Sequence, residues 1–139
     1  PATMRNIDHN HVQRESHFGA QFWVHRKGAC DAHADVAGLI PGSMGSATFH
    51  TSGRGEREAL CSSSHGAGRS LSRSDARRRV SEREVKCRMR GVWFDHRILR
   101  ALREEAPQAY RDIEAVMRAQ RDLTKIVRRL QPVLSYKGV

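Results

Sequence analysis

The sequence predicts an α+β fold of mixed short strands followed by a long C-terminal helix. Two patterns predict it. Short β-type runs at Phe22-Trp23-Val24-His25, Gly38-Leu39-Ile40 and Ala47-Thr48-Phe49 are separated by loops that carry glycine or proline. Further on, Ile113, Val116, Met117, Leu123, Val127 and Leu130 fall on one face at helical spacing.

Taken in order, the first 35 residues hold five of the eight histidines, and they include the strand at 22–25. Lys27-Gly28-Ala29 reads as the turn after it. The apolar run 38–40 enters the loop Pro41-Gly42-Ser43-Met44-Gly45, and a strand resumes at 47–49. Residues 51–58 read as a polar connector rich in glycine and arginine. Ser72 with Asp75 three residues on predicts a helix cap, with the helix over 76–80. Weak alternation at 85–90 predicts a strand, and 95–105 a helix ended by Pro107. The long helix is predicted over 112–130, with Arg128 and Arg129 suited to its negative end and Pro132 stopping it. Residues 133–138 read as a strand-like tail. There is no internal repeat.

The length of 139 residues fits one domain or part of one. Only 38% of residues are hydrophobic and 6% aromatic, so the core is expected to be modest. Lys and Arg number 25 against 15 Asp and Glu, a formal charge of +10 that favours a polyanion, nucleic acid first. Arginine dominates the basic set and suits bidentate phosphate contacts. Cys30, Cys61 and Cys87 are odd in number and widely spaced, which argues against a disulfide framework and for a reducing, cytoplasmic setting. No apolar run approaches the roughly 20 residues that span a membrane. The chain begins at Pro1 with Met4 nearby, as a fragment would.

The residues richest in chemistry are Cys61-Ser62-Ser63-Ser64-His65-Gly66-Ala67-Gly68-Arg69. An imidazole is a nucleophile at neutral pH. Gly66 and Gly68 let backbone N–H groups approach an anion. Arg69 can pair with that anion. No Gly-Lys-Ser/Thr follows, so this is not a P-loop. Taken alone, a histidine is more often structural. The loop 41–45 offers backbone amides and the Ser43 hydroxyl to a phosphate or sugar, and by itself is more often an ordinary turn. Asp8-His9-Asn10-His11 has the residue types of a metal site, or of a surface histidine cluster.

Set in order along the chain, these segments resemble the C-terminal half of the RtcB-type RNA-splicing ligases. The resemblance rests on His9-Asn10, on His25-Arg26-Lys27-Gly28-Ala29, and on Ile40-Pro41-Gly42-Ser43-Met44-Gly45. It continues in residues 61–69 with Ser72-Arg73, in Glu105-Ala106-Pro107-Gln108-Ala109-Tyr110 with Asp112-Ile113, and in Lys137-Gly138. Arg111 stands where that family commonly has lysine.

The resemblance implies that residues 1–139 are the C-terminal portion of a single ligase domain whose N-terminal metal-binding half is absent. It implies a GTP- and manganese-dependent enzyme. Such an enzyme joins RNA 3′-phosphate or 2′,3′-cyclic phosphate ends to 5′-hydroxyl ends through a histidine–GMP intermediate. His65 would be the nucleophile. His9, Asn10, Pro41, Gly42, Ser43, Met44, Thr48, His65, Gly66, Ala67, Gly68 and Lys137 would form the GMP site, Lys137 at the guanine. Thr48 falls where the family usually has serine, with the hydroxyl kept. Tyr110 would lie near the base. His9 would also ligate manganese, the other ligands coming from the absent half, so the chain is expected to be inactive alone. An accessory activator is a further partner of this kind of enzyme. The alternative is a non-catalytic remnant that binds RNA or guanine nucleotide.

Overall fold

The computed structural model describes residues 10–138. Strands β1 (Asn10–His17) and β2 (Ala20–Lys27) form an antiparallel hairpin that pairs Asn10 with Lys27 and His17 with Ala20. Its two-residue turn places both Phe18 and Gly19 at positive φ, the backbone that matches the twist of a tight hairpin. The strand β3 (Ala29–Asp31) and the later β6 (Ser62–Ser64) make a second antiparallel pair. Between them lie β4 (Ala37–Pro41) and β5 (Thr48–Gly53), with β5 at the centre of a three-stranded sheet completed by β7 (Thr124–Leu130). No helix among the described residues is long and apolar enough to cross a membrane.

The helices are short. The predicted Ser72 cap is present: its hydroxyl accepts from the Asp75 N–H at the start of α1 (Arg73–Arg79). Residues 85–90 are not a strand. They belong mostly to α2 (Glu82–Arg88), which Ser81 and Glu84 start with a reciprocal capping box. The box commits the chain to a helix before the weak alternation can matter. The helix expected over 95–105 is broken into a 3₁₀ turn at His96–Ile98, α3 (Leu99–Leu102) and a second 3₁₀ turn at Arg103–Glu105. The connector expected from residue 51 starts later, because Thr51 to Gly53 complete β5.

The long C-terminal helix is not there. The helix α4 (Ile113–Ala119) is capped by Asp112, buries Ile113 and Met117, and ends at Gln120. The chain turns and continues as β7. Thr124, Ile126 and Val127 are β-branched and lose rotamer freedom in a helix, while β5 offers an open edge of backbone donors and acceptors. The β7 register steps over Val127, between the pairs His50–Arg128 and Thr51–Ile126. The apolar side chains there are left exposed, Val127 at 57%, so the helical spacing marked a core face at Ile113 and Met117 but not at Val127 and Leu130. The 133–138 tail is also not a strand, although Leu134 makes one parallel bridge with Trp93.

Two apolar cores result. Ile40, Ala47, Phe49, Ala67, Ile113 and Met117 pack beneath the three-stranded sheet. Met44 joins Val80, Val85, Met89, Phe94, Leu99, Leu102 and Ala106 among the helices.

The hairpin is tied to the body through Arg26, which a buried ion pair with Glu15 holds in place. Arg26, 1% exposed, donates through Nη1 and Nη2 to the two oxygens of Glu15. Its Nε reaches the Ser62 hydroxyl and Nη2 the Leu60 carbonyl, each at 2.9 Å. The Arg26 bonds, aided by His17 and opposed by burial, hold the Glu15 carboxyl at a pKa of about 2. An apolar side chain replaces none of these four hydrogen bonds. Replacing Arg26 by Met strands a buried carboxylate and is expected to cost on the order of 3 kcal/mol. The Glu15→Met/Arg26→Met double variant should recover a large share of that loss. Urea unfolding of the three proteins measures both.

Candidate functional site

Two loops build the site. The β4–β5 loop is closed by Gly42 N–H donating to the Ala47 carbonyl at 3.0 Å, with the Ser43 and Ser46 hydroxyls 2.6 Å apart. The second loop leaves β6 at Ser64. Gln120 Oε1 holds Ser64 through its N–H and its hydroxyl, both at 3.0 Å. His65 follows, half-buried, with its N–H donating to the Gly28 carbonyl at 3.3 Å.

The two loops are joined at Pro41, whose carbonyl accepts the Ala67 N–H at 3.0 Å. A side chain at Gly66 would meet that carbonyl at 3.1 Å. Gly68 has φ +71, the left-handed region that glycine enters without steric cost, and its carbonyl accepts from Arg111 N–H at 3.0 Å.

Between the loops lies a cleft of about 640 Å³. Pro41 to Met44 form one wall, His65 to Gly68 the second, and the tail 134–137 the third, with Arg69, Arg73 and Tyr110 between them. The structure therefore brings together nine of the expected site residues: Pro41, Gly42, Ser43, Met44, His65, Gly66, Ala67, Gly68 and Lys137. Thr48 does not line the cleft; it sits on β5, paired in register with Pro41. Asn10 lies on β1, away from the lining, with its Oδ1 2.9 Å from His25 Nε2. His9 lies outside the described residues.

The cleft is electropositive around a single carboxylate. Arg69 Nη1 donates to Glu105 Oε1 at 3.3 Å and to the Tyr110 hydroxyl at 3.2 Å, and its Cζ lies 4.9 Å from the Tyr110 ring centroid. Arg73 Nε is 3.4 Å from Glu105 Oε1, and Lys137 Nζ is 3.7 Å from Oε2. The Tyr110 hydroxyl donates to Oε2. Burial would raise the Glu105 pKa, but the Tyr110 bond and the Lys137 and Arg69 charges outweigh it and hold the carboxyl low. Three cations against one carboxylate leave an excess positive charge for an anionic ligand.

Glu105 is the group that residue-by-residue reasoning missed. It enters the sequence reading only within the segment 105–110 that carries the resemblance, with no role in the site, and only the fold gathers three cations on it. Gln120 was hidden inside the expected helix.

These features define a basic α+β module that presents a histidine between two glycine loops, a layout suited to phosphate. A family model described as tRNA-splicing ligase RtcB matches residues 2–138, and the chain belongs to that family. It is similar to the RNA-splicing ligase RtcB of Escherichia coli K12, 43% identical over 140 residues, which cover 96% of this chain and 32% of the relative. The tRNA-splicing ligase RtcB of Nanoarchaeum equitans is 39% identical over 134 residues, 83% of this chain and 28% of the relative. That of Thermococcus kodakarensis is 34% identical over 156 residues, 96% and 32%. The chain thus spans about a third of the length of these relatives.

The lowered Glu105 pKa sets a pH dependence. A carboxyl with a depressed folded value stabilises fully above its unfolded pKa of about 4.3 and loses that contribution as pH falls through the folded value. Glu105→Gln should therefore lower stability by about 2 kcal/mol at neutral pH. The gap between the two proteins should shrink as the solution is acidified below the ordinary carboxylate range. Urea unfolding at pH 7 and about pH 3 checks the sign.

Proposed function

We propose that this chain is the nucleotide-bearing part of a GTP-dependent RNA ligase that joins 3′-phosphate or 2′,3′-cyclic phosphate ends to 5′-hydroxyl ends. The observation that carries the reading is the cleft, where His65 faces the glycine loop 41–44 with Arg69, Arg73 and Lys137 beside it.

In this reading the neutral His65 imidazole attacks the α-phosphorus of GTP. A P–N bond forms, the bond to the bridging oxygen breaks, and pyrophosphate leaves. The backbone amides of Ser43, Met44, Gly66 and Gly68, with Arg69 and Arg73, offset the charge that builds on the phosphate oxygens. A 2′,3′-cyclic end is first opened by water to a 3′-phosphate. An oxygen of the 3′-phosphate then attacks the GMP phosphorus, forming a P–O bond as the P–N bond to His65 breaks. The 5′-hydroxyl attacks the activated phosphorus, its proton goes to solvent and GMP departs. Lys137 is assigned to the guanine edge, where a cation suits the O6 and N7 acceptors.

Manganese belongs to the same reading, with His9 as one ligand. Among the described residues, the only group of three close ligand side chains lies outside the cleft lining. The cleft by itself does not fit a metal, and no step here is assigned to one. The activity is accordingly expected to need the portion of the relatives that lies outside the matched segment.

The same basic cleft supports a second reading: a non-catalytic module that holds RNA or guanine nucleotide. The two readings part in a complementation experiment. The chain is mixed with the remaining portion of the E. coli relative, manganese and GTP labelled at the α-phosphate. The ligase reading expects acid-labile label on this chain and none on His65→Ala. Label retained by His65→Ala removes the nucleophile assignment, and absence of label from both leaves the binding module. Either reading expects RNA affinity to fall at least about tenfold between 50 and 200 mM salt in a filter-binding titration.

A further inference from the structure

A second cluster of chemistry lies away from the cleft. Glu15 and His17 are two apart on β1 and so share one face of the strand. His33, in the segment after β3, comes up beside them. One ligand atom from each residue lies within 4.8 Å of the other two. Glu15 Oε2 is 2.7 Å from His17 Nε2 and 3.8 Å from His33 Nε2. Two ligands on a tetrahedral ion with bonds of about 2.0–2.1 Å stand roughly 3.4 Å apart, and these two separations bracket that value.

We propose that Glu15, His17 and His33 form a binding site for one divalent transition-metal ion of the zinc class. Three features support it beyond proximity. First, His33 is already oriented. Its Nδ1 lies 2.6 Å from Asp31 Oδ1, which also accepts the His33 N–H at 2.9 Å. That carboxylate places the ring proton on Nδ1 and turns the Nε2 lone pair towards Glu15, the outer-shell arrangement common to metal-bound histidines. Second, the donor set of two imidazoles and one carboxylate prefers zinc or cobalt over magnesium or calcium. Third, access is right. Glu15 and His17 are 8% and 6% exposed, whereas the His33 side chain is 40% exposed and leaves a route in from solvent, with room for water as a fourth ligand.

Arg26 sets the strength. Its guanidinium donates to both Glu15 oxygens, Oε2 included, and keeps the carboxylate in place, but a fixed cation near the ion lowers affinity. A moderate affinity follows rather than that of a closed structural zinc site. The ion would also link the β1–β2 hairpin to the segment after β3, where His33 Nε2 now stands 3.8 Å from Glu15 Oε2.

The test is a titration of the 139-residue chain with cobalt(II), read by its visible absorption, followed by displacement with zinc. One equivalent should bind with the intense bands of a four-coordinate site. His33→Ala, a half-buried position whose loss should leave the metal-free melting temperature within about 4 °C, should weaken binding at least tenfold. Asp31→Ala should weaken it about tenfold through the freed ring. His9→Ala should leave it unchanged. If His33→Ala binds as tightly as the parent chain, or if His9→Ala alone abolishes the signal, the site is not where we place it. Absence of any one-to-one cobalt signal from the parent chain also overturns the proposal. None of these outcomes depends on nucleotide chemistry at His65.

Discussion

The hydrogen bond from Ala67 N–H to the Pro41 carbonyl is the contact on which the cleft depends. It joins the histidine loop to the glycine loop at the point where β4 ends. Ile40, just before it, belongs to the core under the sheet, while Met44, just after it, belongs to the core among the helices. The loop 41–45 is therefore the crossing between two separately packed bodies. Gly45 makes the crossing tight: a side chain there would meet Met89 Sδ at 3.0 Å, the Arg88 carbonyl at 3.1 Å and Pro107 Cγ at 3.1 Å. Substitution at Gly45 would push α2 and the turn at Pro107 away from the loop, and with them the segment that carries Glu105 and Tyr110.

This arrangement explains how a modest core can hold a defined site. Neither apolar cluster is large, but each anchors one end of the same short loop. The His65 side is restrained independently, by Gln120 on Ser64 and by Gly28 on the His65 amide. Backbone groups and a buried amide do most of the positioning. The basic side chains beside the cleft are gathered by Glu105, one carboxylate against three cations.

The parts of this fold legible in the sequence are those set by neighbours along the chain. The strand at 22–25, the loop at 41–45, the Ser72 cap and the His65 loop all depend on a few adjacent residues. Where reasoning failed, a distant partner decided the matter. Residues 124–130 have helical spacing, yet the edge of β5 lies 70 or more positions away in sequence and supplies a backbone ladder instead. At 85–90 the failure was one of weighting, since Ser81 and Glu84 carry a local capping signal that outranks a faint alternation. Within the site, both glycine loops and Lys137 were legible as a resemblance. Thr48 and Asn10 were placed in it by that resemblance too, but their strands carry them away from the lining. Glu105 needed three arginine and lysine side chains from separate segments before its part could be seen.

The third wall of the cleft is held differently from the other two. Residues 134–137 reach it because Trp93 accepts and donates one backbone bond on either side of Leu134, from Ser135 N–H at 2.8 Å and to the Val133 carbonyl at 2.9 Å. Val133 and Tyr136 are 79% and 72% exposed and contribute little packing. Such a segment opens at far smaller free energy than a core element. Lys137 thus sits on a zipper of two teeth. A ligand held by its ammonium group would also fasten the tail, so occupancy and closure become a single equilibrium. The same coupling means that part of the binding energy of any such ligand is spent on ordering the wall, and its release is governed by how often that zipper parts.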